Sequence, residues 1–310
     1  MRFRERGVVL LAVVMALAVL SVLAVGTART TIMSQRLTAH GRDLLQAEAL
    51  LRSATAVAAT WLERHAASGL PDGAHLPGMA APWRRRLGDG WIEIRVEDAA
   101  RRIDLDTPGL RPALHRLATG LGLEPRLIDA LADWTDADDE PRRLGAERDW
   151  YAHLREPLLP ANAPLTSVSH LRFVRGFDAN AVARLAPFVS VAGQGGVNPN
   201  TASPTVLAAW TGSARETRRL LAARDDGVVA CGARAHCTLR SAYYLVHARA
   251  RVGAIERRAT VTLLVPDGLP ATVRRWEPAD PAADSEVVNQ SPDRARHPRH
   301  PGPRRCSSSP

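Results

Sequence analysis

Residues 133–149 carry seven carboxylates: Asp133, Asp136, Asp138, Asp139, Glu140, Glu147 and Asp149. Side chains of one sign packed this closely repel one another unless a counter-charge lies among them. Two kinds of counter-charge are open. Arg142, Arg143 and Arg148 lie in the same stretch and would make it an acidic face balanced by arginine. A metal ion is the other. Asp136, Asp138, Glu140 and Glu147 fall at positions 1, 3, 5 and 12 of a calcium-loop template, although Pro141 stands where an EF-hand needs Gly. Hard oxygen ligands on a loop favour calcium over transition metals. The ligand set is therefore Asp136 and Glu147 first, then Asp133, Asp138, Asp139 and Asp149. A pair such as Asp133 and Asp136 could also do acid–base work, but no nucleophile or substrate motif accompanies it.

Cys231 and Cys237 are the next reactive pair. In an oxidising compartment they would form a local disulfide. Free thiols remain open, as does zinc with His236 and His247, although this spacing fits no standard zinc pattern. All 41 basic residues are Arg, spread along a chain of net charge +9. A nucleic-acid site should cluster its charge, so we read these as solvated surface arginines. Without Lys there is neither a phosphate-loop lysine nor a lysine Schiff base, and neither G-x-S-x-G nor H-E-x-x-H occurs. The chain is read as non-enzymatic.

The N-terminus sets the compartment. After Arg2, Arg4 and Arg6, residues 8–25 are apolar except for Ser21. As a helix that stretch rises about 27 Å, close to a bilayer core of about 30 Å. The basic flank keeps the short end in the cytoplasm and the remainder is exported. A secretory signal cut after Ala24-Val25-Gly26 would also fit. Against it, no proline precedes Pro71, and Leu44, Ala47, Leu51, Ala54, Ala58 and Trp61 recur at 3-4-3-4-3 spacing. That places them on one helix face. One helix over 8–66, half in lipid and half amphipathic, accounts for both observations.

Beyond it the order is a Pro/Gly-rich break, a strand in 67–106 around Ile92, Ile94 and Val96, short helices over 107–224, and a second strand region over 225–277. That last region holds a hairpin turning at Gly253-Ala254 and an edge strand near Val273 to Trp276. The fold class is α+β: a long N-terminal helix and a small antiparallel sheet split in sequence by an inserted α-helical domain. Residues 278–310 have almost nothing to bury and read as a disordered tail.

The basic leader ending in Gly7, followed by an apolar helix from Val8, resembles type IV pilins and the pseudopilins of type II secretion. Three further stretches narrow the resemblance. They are Asp133-Trp134-Thr135-Asp136 with its acidic continuation, Leu171-Arg172-Phe173-Val174-Arg175-Gly176, and Val197-Asn198-Pro199-Asn200-Thr201-Ala202-Ser203. In this order they are similar to the minor pseudopilin K family of type II secretion. The resemblance implies a structural subunit at the tip of the pseudopilus that initiates assembly and supports export across the outer membrane. It implies cleavage between Gly7 and Val8 by prepilin peptidase, methylation of the new terminus, and calcium in the acidic loop. Most members carry Glu at the fifth mature position, where this chain has Ala12. The implied partners are minor pseudopilins I and J, then H and the major pseudopilin. The implied place is the bacterial inner membrane, crossed once, with the N-terminus cytoplasmic and the globular part periplasmic. The alternative is a DNA-uptake pilin-like component, because the Asn-Thr-Ala-Ser run and the helices after it resemble a helix-hairpin-helix that holds phosphate on backbone amides. Such hairpins close on Gly-x-Gly, whereas Thr211-Gly212-Ser213 offers one Gly.

Overall fold

The structure is a computed structural model that describes residues 2–73, 76–192 and 195–278. Within its first helix the side chains of residues 2–14, 16, 19, 22 and 25–32 lie outside that description. The expected membrane span over 8–25 and the Gly7–Val8 junction fall largely on those side chains, and the expected tail, from residue 279 on, lies outside the described residues. Among the described residues no helix is long and apolar enough to cross a membrane.

The order is α1 (Arg2–Ser68), β1 (Trp83–Leu87), β2 (Gly90–Asp98), β3 (Ile103–Asp104), α2 (Arg111–Gly120), α3 (Arg126–Thr135), α4 (Arg148–Ala152), α5 (Ala179–Leu185), β4 (Val189–Ser190), α6 (Pro204–Thr211), α7 (Ala214–Asp226), β5 (Tyr243–Val252), β6 (Ile255–Leu264) and β7 (Thr272–Pro278). No proline interrupts α1, and its mid-helix hydroxyls bond back to the preceding turn: Thr55 Oγ1 donates to Leu51 O at 3.2 Å and Thr60 Oγ1 to Ala56 O at 3.0 Å. Such bonds keep polar side chains compatible with a helix. Gly69, at φ 68°, ends it in the left-handed conformation that glycine adopts without strain.

Ala47, Leu51, Ala54, Ala58 and Leu62 form the buried face of α1. The register turns to Leu62 where the spacing pointed to Trp61; Trp61 instead sets its ring edge-on to Trp83 at 4.8 Å. The small alanines let the helix lie close on a five-stranded antiparallel sheet ordered β1-β2-β5-β6-β7. Ile92, Ile94 and Val96 meet it from β2, Val246, Ala248 and Ala250 from β5, and Val261 and Leu263 from β6. Period-two alternation sends the other set outward, where Glu97 accepts from Arg102 and lies beside Arg95, Arg101 and His247. Burial alone would push Glu97 up. The nearby His247 ring and the charges of Arg102 and Arg101 outweigh it and hold the carboxyl far below the usual range. The described side chains N-terminal to 41 are exposed, Met33 by 58% and Leu37 by 62%, so this part of α1 projects past its own sheet.

Between β2 and β5 runs a second core, from Ile103 to Val229, built on α2, α3, α5, α6 and α7, with β3 and β4 paired parallel beside it. The two cores meet at a polar junction. Asp98, at the end of β2, accepts from Ala100 N at 2.7 Å, Asn198 Nδ2 at 2.9 Å and Thr201 Oγ1 at 2.6 Å. Asp72, just beyond α1, accepts from Ser241 N at 2.7 Å and the Tyr244 hydroxyl at 2.8 Å, and pairs with His65 Nε2 at 2.8 Å. Burial, with the nearby Asp72 charge adding to it, pushes Asp98 up to about 6.

Candidate metal centre

The acidic loop joins α3 to α4. α3 buries Leu127, Ile128, Leu131 and Trp134 in the second core and carries Asp133, 0% exposed, into it. A buried carboxylate needs partners, and Asp133 finds them nine residues on. Arg142 donates to it from its backbone N at 3.1 Å and from Nη1 at 2.6 Å. The same Nη1 also donates to Asp136 Oδ2. Gly145 lies flat against the Asp133 carboxylate, where any Cβ would overlap it. Asp133 is thus committed to Arg142 and holds the loop closed from inside.

Asp136 follows α3 in extended conformation, and Glu147 occupies the N-cap position of α4 without capping it. Both Glu147 carboxylate oxygens and Asp136 Oδ1 are buried with no hydrogen-bond partner among the described residues. Glu147 is only 4% exposed. One carboxylate oxygen each from Asp136, Asp138 and Glu147 lies within 4.8 Å of the others. At an effective dielectric of about 20, two unit charges at that distance repel by about 3.5 kcal/mol. Burial first, then the charges of Asp133, Asp136, Asp139 and Asp138, push the Glu147 carboxyl up to about 7. Three orphaned buried oxygens in an all-carboxylate pocket fit a hard divalent cation of the calcium type. Such an ion would neutralise the cluster and tie the end of α3 to the start of α4.

The six sequence-derived ligands therefore divide. Asp136, Asp138 and Glu147 converge. Asp133 is taken by Arg142, and Asp139 lies at the edge, accepting from Asn162 Nδ2 at 3.3 Å with Arg148 Nε at 3.8 Å. Asp149 is exposed in the first turn of α4. Glu140, fifth in the loop template, does not converge, in keeping with Pro141 after it. The sequence offered Arg142, Arg143 and Arg148 alike as counter-charges, and the fold selects Arg142 to bridge Asp133 and Asp136; the stack of the Arg175 guanidinium over the Trp150 ring at 4.8 Å was missed. Nothing in the spacing separates Arg142 from Arg143 or Arg148.

Elsewhere Cys231 and Cys237 are joined as a disulfide with Cα atoms 5.6 Å apart. The hairpin of α6 and α7 is closed by protein groups. Ser203 caps α6 by accepting from Val206 N, and Ser213 caps α7 by accepting from Glu216 N. Arg116 lies against Gly212 and donates to Ala209 O at 2.6 Å and Trp210 O at 3.1 Å.

Comparisons with known proteins bear on this geometry. The family model for type II secretion system (T2SS) protein K matches residues 97–194, a stretch that contains the whole acidic loop. Type II secretion system protein K of Klebsiella pneumoniae is 34% identical over 224 residues, 66% of this chain and 68% of that protein. Its namesake in Pseudomonas aeruginosa is 29% identical over 230 residues, 67% and 69% of the two chains. In fold the chain is similar to a chain of the crystal structure of the GspK-GspI-GspJ complex from the enterotoxigenic Escherichia coli type 2 secretion system. That match has a TM-score of 0.66 at 19% identity, over 78% of this chain and 99% of that one. Both chains thus share a helix-and-sheet architecture with an antiparallel sheet. Identity at this level, over more than two thirds of the Klebsiella protein, places the chain in the type II secretion system protein K family.

Proposed function

We propose that this chain is a structural subunit at the tip of the type II secretion pseudopilus, where it starts assembly and supports protein export across the outer membrane. The observation that carries the reading is the division of α1. From Ala47 on, the helix packs on its own sheet; before that, Met33 and Leu37 lie exposed, 58% and 62%, among the described residues. An apolar helix face of that kind suits neighbouring subunits. Prepilin peptidase cuts between Gly7 and Val8, and the new terminus is methylated. Ala12 then stands where most pseudopilins carry Glu, so the subunit lacks a carboxylate for the amine of a preceding one, as suits a first subunit. Pseudopilins I and J are its direct partners, in line with the complex named for the structural neighbour, and H and the major pseudopilin follow below. The helix anchors the chain in the inner membrane with the globular part in the periplasm. Calcium held by Asp136, Asp138 and Glu147 stiffens the helical part. No step of this role is catalytic.

Co-purification tests it. Full-length tagged chain, solubilised from membranes that also contain I and J, should retain both through size exclusion in calcium. Recovery of the chain free of both would overturn the reading.

A further inference from the structure

Among the described residues five buried side-chain oxygens have no hydrogen-bond partner. Three belong to Asp136 and Glu147, and a fourth is Oδ1 of Asn162. Folded proteins leave few such atoms orphaned, so a common cause is needed for the four around this loop. Asn162 reaches the loop from the segment between α4 and α5, 24 positions beyond Asp138. That segment is tied at both ends. Leu158 N donates to Tyr151 O at 3.3 Å, and the buried Leu165 donates from its N to Asp106 Oδ1 at 3.0 Å. Pro160 and Pro164 stiffen the chain on either side of Asn162.

Asn162 itself stands at φ 42°, a left-handed conformation that asparagine tolerates better than most residues. Its Nδ2 donates to Asp138 O and to Asp139 Oδ1, each at 3.3 Å. A carbonyl and an ionised carboxylate can only accept, so the amide nitrogen is fixed on their side. The amide oxygen is left buried where the protein supplies no donor. A cation would satisfy it, as it would the orphaned oxygens of Asp136 and Glu147.

We propose that Asn162 Oδ1 is a further ligand of the metal centre, joining Asp136, Asp138 and Glu147 from a separate segment of the chain. The inference rests on the calcium reading above. Side-chain amide oxygens are ordinary calcium ligands. Here the amide adds an oxygen without adding a negative charge to carboxylates that already repel one another. The ion then ties the segment of Asn162 to the loop between α3 and α4. Acidic spacing could not reveal this ligand, because it is uncharged and lies outside the 133–149 stretch. The amide thus has two roles that separate by atom: Nδ2 braces the loop and Oδ1 holds the ion.

Europium(III) tests this, being a hard cation whose luminescence lifetimes in H2O and D2O count the waters bound to it. The detergent-solubilised full chain, Asn162→Ala and Asn162→Asp are each loaded with europium, and calcium affinity is measured by calorimetry on the same samples. Asn162→Ala should add about one water to the ion in place of the lost oxygen and weaken calcium at least threefold. Asn162→Asp keeps an oxygen and loses both donors. It should hold no more waters than the parent and bind calcium at least as tightly, because affinity follows ligand charge. An unchanged water count in Asn162→Ala overturns the ligand assignment and leaves the calcium reading standing. If Asn162→Ala binds no ion, Asn162→Asp decides: loss of calcium there as well would leave only the brace made by Nδ2 and overturn the assignment. No calcium or europium binding by the parent overturns both.

Discussion

Glu147 is the residue on which the proposed metal centre depends. Its carboxylate is buried, unpartnered at both oxygens and raised to about 7 by burial and by four acidic neighbours. Without an ion it would oppose folding, and with the proposed ion it would become a ligand. Glu147→Gln should therefore have opposite effects in two buffers. In chelator the variant should melt a few degrees above the parent, because a repulsive charge is gone. In millimolar calcium it should melt below the parent and bind calcium at least tenfold more weakly, since ligand binding to the folded state stabilises it in proportion to occupancy. Paired thermal scans read both, and a variant that shifts the same way in both buffers would leave an acidic face and no metal centre. The acidic spacing in the sequence pointed to this loop and, within it, to Asp136 and Glu147 first. It could not separate Asp138 from Asp133, because what removes Asp133 from the set is an arginine nine residues on, brought close only by the fold of the loop.

The hairpin of β5 and β6 was readable because apolar and polar residues alternate cleanly from Tyr244 to Val252 and again from Ala259 to Val265, around a short turn. The continuity of α1 was readable from its lack of proline. β1 was not, since Arg84, Arg85 and Arg86 show no alternation and it pairs only with β2 as an edge strand. Nor were β3 and β4, whose two-residue parallel pairing joins segments 86 positions apart. The return connection from α7 to β5 is a strap that sequence reasoning saw only as two cysteines. Val197 N donates to His236 O at 2.8 Å, Thr238 N donates to Val197 O at 3.1 Å, and Arg234 Nη2 reaches Glu216 of α7 at 2.6 Å. The disulfide closes this strap across a sequence separation of 6. A loop that short constrains the unfolded chain by about 2 kcal/mol. Replacing both cysteines with Ser should lower stability by about that much in denaturant titration, with hydrogen exchange rising first around Val197 and Thr238. Unchanged exchange there would remove the strap from the account.

At the scale of the whole molecule, two apolar cores share a polar junction around Asp72 and Asp98. None of this was legible: Asp72 and Asp98 lie 26 positions apart with nothing in sequence to pair them, and Asn198 and Thr201, about 100 positions beyond Asp98, read only as part of a family-like stretch or a phosphate turn. The junction gives stability a pH dependence. Asp98 rises from 3.8 to about 6 on folding, so the folded state holds its proton more tightly than the unfolded one. Its contribution is present in full below about pH 4 and is lost as pH rises to about 6, by about 3 kcal/mol at most. Asp106, also raised to about 6, adds the same sign, whereas Glu97 acts oppositely and only at lower pH. Asp98→Asn should therefore flatten the stability profile between pH 4 and 6 whatever its absolute cost, and parallel profiles would contradict the assignment.

The projecting part of α1 bears on the central claim, that this chain assembles through its helix with pseudopilins I and J. A photo-crosslinking residue placed at Leu37 in the full chain, in cells making the whole secretion system, tests that most directly. The account predicts adducts to I or J from Leu37, and none from the same probe at Thr260 on the outer face of the sheet. Adducts to neither protein from Leu37, with the chain present at normal level in the membrane, would contradict it.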